Sequence, residues 1–177
     1  MKKNTLLLAI SLCVLLFSCG NKETGIVHVQ QSDKQEKEDP YLKWNQVNVE
    51  REDEDIDFFL RRYGWEMQKT GTGLRYQCVK EGQGNRPLPE QTVTVKYTTV
   101  LLTGDTVYSS DRDGLKRFKV DKSDEMAGLN EAVKMMRKGE RARLVIPSFL
   151  AYGVAGDGDR IRGKVTLAMY VELIDIQ

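Results

Sequence analysis

Few side chains in this 177-residue sequence stand at the spacing that covalent or metal-assisted chemistry needs. The single histidine, His28, lies in a polar tract, and no Cys or His pair has the spacing of a transition-metal site. Ser109 and Ser110 lack a Gly-x-Ser-x-Gly frame and a usable histidine, which argues against serine-hydrolase chemistry. Asp157-Gly158-Asp159 is too short for a calcium loop. The stretch from Gly153 to Gly163 continues into Lys164-Val165 and not into the Lys-Ser/Thr of a phosphate loop, so it reads as a mobile flap. What remains is a set of apolar and aromatic side chains, Tyr97, Phe118, Tyr152 and Ile161, whose chemistry is that of a pocket. They can exclude water and offer phenolic hydroxyls as donors. Taken one at a time, inward aromatic residues on strands are ordinary core packing.

The elements that must position these residues begin well inside the chain. Lys2 and Lys3 precede an apolar stretch from Leu6 to Phe17. It is shorter than the about 20 residues a bilayer span needs, and it has the form of a secretory signal. Leu16-Phe17-Ser18-Cys19, with Gly20 following, resembles the bacterial lipobox. That resemblance implies cleavage after residue 18 and diacylglyceryl transfer to the Cys19 sulfur, with two or more chains giving a stable membrane anchor. Gly20 is unlike the Asp that retains some lipoproteins in the inner membrane, so the expected site is the outer membrane, facing the periplasm. Cys13 leaves with the signal, and Cys78 alone remains, so no internal disulfide is expected. Cys78 lies in an alternating run and reads as a small core filler. Without Lys2 and Lys3 the charge balance is 25 basic to 26 acidic residues. No clustered basic face marks a nucleic-acid partner.

Residues 19–40 are polar and nearly free of aromatics, and read as a flexible tether. Residues 41–72 form a helical extension, in which Ile56, Phe59, Leu60 and Tyr63 make one apolar face. The acidic run before them and Arg61 and Arg62 after them suit a helix dipole, with the acids at a solvated helix start, and Gly64 stops the helix. Residues 73–177 carry period-two strands at Leu74–Val79, Thr92–Leu101, Arg141–Pro147 and Val165–Ile176. Between them Leu129, Ala132, Val133 and Met136 stripe a short helix, capped by Ser123 or Asp124 and closed by Gly139. The fold class is α+β, an antiparallel sheet wrapped around one short amphipathic helix.

The order of motifs in this domain resembles the FKBP family. Val95-Lys96-Tyr97-Thr98 is similar to its first core strand, and Ser109-Ser110-Asp111-Arg112-Asp113 with Arg117-Phe118-Lys119-Val120 to its loop and next strand. Gly128-Leu129-Asn130-Glu131-Ala132-Val133 resembles its helix, and Met136 to Ala142 the helix exit. Ala151-Tyr152-Gly153 and the closing Val171-Glu172-Leu173 complete the series, over roughly residues 74–177. The resemblance implies peptidyl-prolyl cis-trans isomerase activity on Xaa-Pro segments of envelope proteins, with no metal and no cofactor. It places Tyr97, Phe118, Tyr152 and Ile161 in the catalytic pocket, the Tyr152 hydroxyl donating to a substrate carbonyl. Met126 would grip the peptide through its backbone N–H, Leu129 would form the floor, and Val107 and Met169 the side walls.

Departures from the family pattern bear on rate. Leu129 replaces a floor that is usually aromatic, Val107 and Met169 replace positions that are usually Phe, and Tyr108 stands where an acid commonly precedes the Ser-Ser pair. A roomier, less polar pocket implies weak binding of tacrolimus-type macrolides and reduced turnover. Two other readings stay open: a binding or chaperone module with little turnover, and an assembly component similar to gliding-motility FKBP-like lipoproteins. In the latter, residues 41–70 would meet a protein partner.

Overall fold

The longest helix among the described residues, α1, spans Pro40–Tyr63 and opens on a proline whose missing N–H costs nothing in the first helical turn. The computed structural model describes residues 39–177, so the expected signal peptide, the Cys19 anchor and the tether as far as residue 38 lie outside the described residues. The expected helix start is corrected. The acidic run sits in the middle of α1, the first turn holds no acid, and only Arg61 and Arg62 complement the dipole. Nor are Glu52 and Asp53 merely solvated, because both accept from residues elsewhere in the fold. Gly64 follows the helix with φ 62°.

Seven strands form one sheet, antiparallel at every pairing: β1 (Gln68–Lys69), β2 (Arg75–Lys80), β3 (Thr92–Leu101), β4 (Thr106–Ser109), β5 (Lys116–Lys119), β6 (Arg141–Ile146) and β7 (Leu167–Ile176). The order is β1-β2-β6-β7-β3-β4, with β5 also paired to β3. Along one edge of β3, Thr92–Val95 pair with β5 and Thr98–Val100 with β4. One turn of helix, α2 (Ser110–Asp113), joins β4 to β5. Helix α3 (Ala127–Met135) packs on one face of the sheet through Leu129, Ala132 and Val133. It approaches β6 so closely that a Cβ on Gly128 would lie 2.4 Å from the Ile146 Cγ2. Only glycine fits there.

The expected caps of α3 are replaced. Its N-cap is Met126, with no side-chain cap bond, because the helix starts too late for Ser123 or Asp124 to reach it. Buried Asn130 orders the approach instead, donating to the Glu125 carbonyl at 3.1 Å and accepting from the Asp121 N–H at 3.0 Å. Gly139 does take a left-handed conformation, φ 86°, but in the turn before β6 and not at the helix end, which is Met136. Cys78 is exposed, contrary to the core-filler reading, since β2 runs past the edge of the core and bulges between Cys78 and Lys80.

Residues 39–177 lie in one compact unit, with α1 covering the sheet face opposite α3. Ile56 and Phe59 bury against Val145 and Ala168, the outward residues of β6 and β7. Arg75, nearly enclosed, ties α1 down through Asp53 at 2.7 Å and Asp57 at 3.2 Å. Trp65 packs edge-on against Phe59 and Tyr170, with the Arg143 guanidinium 4.9 Å from its ring centre. Ile56 is fully buried, so Ile56→Ala should cost about 2–4 kcal/mol, read as a lowered denaturant midpoint with the slope unchanged.

Candidate functional site

The eight residues expected to form the pocket come from six places in the chain. Tyr97 faces inward from β3 because β3 alternates in strict period two, with Val93, Val95, Tyr97 and Thr99 buried. Phe118 on β5 lies opposite Val93, and Val107 stands on β4. Met126 and Leu129 come from the start of α3, Met169 from β7 opposite Thr99. Tyr152 and Ile161 belong to the flap that leaves the sheet through a short 3-10 turn, Ser148–Leu150, and returns at β7. All eight gather in one apolar cluster, with Tyr152 packed against it. Leu129 and Met169 are wholly enclosed and form its base. Tyr97, Phe118, Val107, Met126 and Ile161 keep a few per cent of their surface, and Tyr152 is half-buried.

Polar groups around this cluster were not legible from residue spacing. The Tyr97 N–H donates to the Ser110 hydroxyl at 2.8 Å, which fastens α2 beside the pocket. Lys116 lies 5.3 Å from the Tyr97 ring centre and pairs with Glu125 at 2.7 Å. The other Glu125 oxygen accepts the Met126 N–H at 3.1 Å. The backbone donor expected to grip a peptide is therefore already occupied. Burial, together with the negative charge of Glu125 and Asp157, pushes the Tyr152 hydroxyl up to about 12. It stays a proton donor at any ordinary pH.

The position of the absent acid is filled from across the site. Tyr108 donates its hydroxyl to Asp157 on the flap at 2.5 Å. The second Asp157 oxygen accepts the N–H groups of Ile161 at 2.8 Å and Asp159 at 2.9 Å. One carboxylate thus joins β4 to the flap wall. Burial would raise the Asp157 carboxyl, but these donors outweigh it and hold the group below the usual range. Burial and the same carboxylate push the Tyr108 hydroxyl up. The Arg160 guanidinium sits 4.6 Å from the Tyr108 ring centre and donates to Asp113 at 3.0 Å and to the Val107 carbonyl at 3.3 Å. Inside the flap a Cβ on Gly156 would meet the Ile161 carbonyl at 2.3 Å, and its φ is 75°, so glycine lets the loop fold on itself.

A short helix packed on one face of an antiparallel sheet, with Tyr97, Phe118 and Tyr152 gathered beside a hydrogen-bonded loop, defines a small α+β domain. Residues 84–174 match the family described as FKBP-type peptidyl-prolyl cis-trans isomerase, and the chain belongs to that family. It is 37% identical over 112 residues to FKBP-type peptidyl-prolyl cis-trans isomerase FkpA of Escherichia coli, spanning 63% of this chain and 40% of that one. It is 33% identical over 106 residues to outer membrane protein MIP of Legionella longbeachae, spanning 60% of this chain and 45% of that one. The crystal structure of FkpA from Escherichia coli superposes with a TM-score of 0.63 at 31% identity, covering 77% of this chain and 64% of that chain. The chain thus spans less than half the length of these curated relatives.

Asp113 gives the latch a measurable signature. The Ser109 N–H donates to it at 2.9 Å, and together with Arg160 and Arg112 lowers its carboxyl to about 2 against the opposing effect of burial. A depressed folded value means the latch is at full strength above an unfolded carboxyl's value of about 3.9, and is lost as pH falls through the folded one. The Asp113 carboxyl carbon resonance should therefore titrate near pH 2. A midpoint near 4 would show that these donors do not hold it.

Proposed function

We propose that the chain is a lipid-tethered peptidyl-prolyl cis-trans isomerase, acting on Xaa-Pro segments of cell-envelope proteins at a reduced rate. The observation that carries this reading is the convergence of Tyr97, Phe118, Ile161 and Tyr152 on one apolar cluster beneath the flap. Rotation about an Xaa-Pro bond is slow because the partial double bond resists twisting, although the two isomers differ little in energy. The twisted amide has lost resonance and carries less charge separation than the planar one. A dry, aromatic-walled pocket favours it differentially, without nucleophile, metal or cofactor. The Tyr152 hydroxyl holds a neighbouring carbonyl in register. Leu129, Val107 and Met169 leave the walls less aromatic than is usual in the family, which lowers the rate without abolishing it. The Cys19 anchor keeps the domain at the outer membrane, facing the periplasm, where client proteins fold without ATP. The family membership and the relative named as an outer membrane protein support the assignment.

A second reading is a binding module with little turnover, favoured by one observation: Glu125 occupies the Met126 N–H. A peptide carbonyl must displace that carboxylate to use the donor. Proline-limited refolding separates the two readings. The enzyme reading expects the wild type to accelerate the slow phase, which takes about 10–100 s uncatalysed. Tyr152→Phe should lower kcat/KM about tenfold, the loss of one hydrogen bond to substrate. Glu125→Ala should lower KM severalfold by freeing the Met126 donor. No acceleration by the wild type or by Glu125→Ala, with suppression of client aggregation intact, would establish the binding module instead. The tether is tested apart: Cys19→Ala should release the protein from membrane fractions, and continued lipid labelling would contradict it.

A further inference from the structure

The ladder between β6 and β7 ends at the pair Ile146 and Leu167, and the flap begins beyond it. Pro147 has no N–H with which to extend the ladder, and Ser148 turns away into the 3-10 helix. A carboxylate from another element completes the base of the loop. Glu52, on α1, accepts the Ser148 N–H at 2.6 Å with one oxygen and the Ser148 hydroxyl at 3.0 Å with the other. The Thr166 hydroxyl, on the returning stem, donates to the first of these oxygens. Ser148 and Thr166 are both buried, so their donors have little water to turn to. A single side chain thus holds both stems of the flap.

The constraint passes on toward the pocket. The Ser148 carbonyl accepts the N–H groups of Ala151 at 3.1 Å and Gly153 at 2.8 Å, the two residues that flank Tyr152. The Lys164 N–H donates to the Gly153 carbonyl at 2.7 Å, which draws the returning stem to the same point. Trp44, also on α1, stacks 4.3 Å from the Lys164 ammonium.

We infer that Glu52 is a positioning residue for the pocket: from α1, through Ser148, it sets where the Tyr152 side chain stands, a role that rests on Tyr152 being the pocket's donor as proposed above. The helix then completes the flap from the opposite side of the sheet and is more than an appendage to the domain.

The test uses the full chain. Glu52→Ala should lower kcat/KM on an Xaa-Pro peptide about tenfold, the scale of loss that a displaced hydrogen-bonding group produces. Glu52→Gln, which keeps one acceptor oxygen, should recover part of it. Combined with Tyr152→Phe, Glu52→Ala should cause little further loss, because both act on one contact. Ile56→Val, which loosens α1 without touching Ser148, should leave turnover unchanged. Independently of turnover, Glu52→Ala should speed hydrogen exchange at the Ala151 and Gly153 amides while those of β3 and β7 stay protected. Unchanged exchange at Ala151 and Gly153, additive losses in the double variant, or loss of protection across the whole sheet would each overturn the inference. A wild type without turnover would remove the isomerase reading, and the exchange measurement would still decide whether Glu52 holds the Tyr152 segment.

Discussion

Nine residue pairs join β3 to β7, from Val93 opposite Ile176 to Leu101 opposite Leu167, and their register decides what every other element can do. Side chains alternate across a strand, so a one-residue slip of β3 against β7 would carry Tyr97 out to the helix α1 face and bring Lys96 in, while Met169 on β7 stayed in place. The bulge between Thr94 and Val95 takes up the one irregularity near the strand's start and leaves the pocket half in phase. Because β3 is central, the same ladder also fixes β4 and β5 along its other edge, and with them Val107 and Phe118. The positions of Tyr97, Val107, Phe118 and Met169 thus all depend on this one ladder.

Charge is arranged around this apolar frame in a way that separates fold from chemistry. Burying a carboxylate is costly unless donors surround it. Asp157 meets that condition with one hydroxyl and two backbone N–H groups. It joins Tyr108 on β4 to two backbone N–H groups of the flap. The Glu125 carboxylate accepts from the Met126 N–H, the donor expected to hold a peptide, and from Lys116.

Sequence alone disclosed β2, β3, β6 and β7 because their alternation is strict, whereas the short β4 gave no period to read and β1 fell within the expected helical extension. Of the apolar face expected on α1, Ile56 and Phe59 bury and Leu60 packs against them, but Tyr63 at the helix end stays 45% exposed. What failed was polar. Ser123 and Asp124 are reasonable helix caps by type, yet the helix begins only after Met126, and Asn130 from inside the helix orders the loop. The acidic run of α1 reads as a solvated helix end, but Glu52 and Asp53 meet partners 96 and 22 residues away. Cys78 followed the alternation of its strand, which cannot reveal where a core stops. Period and composition describe single segments, whereas a carboxylate's partner depends on how segments meet.

The chain holds two tryptophans, and the fold has placed them in unlike surroundings. Trp65 is wedged among Phe59, Tyr170 and the Arg143 guanidinium where α1 meets the sheet. Trp44 stands largely in solvent with the Lys164 ammonium over its ring, at the root of the flap. Indole emission responds to nearby charge and hydration, so the two rings are separate optical reporters written into the native sequence. Trp65 registers detachment of the helix, whereas Trp44, itself on α1, responds when either the helix or the loop moves, so a change at Trp44 alone marks the loop.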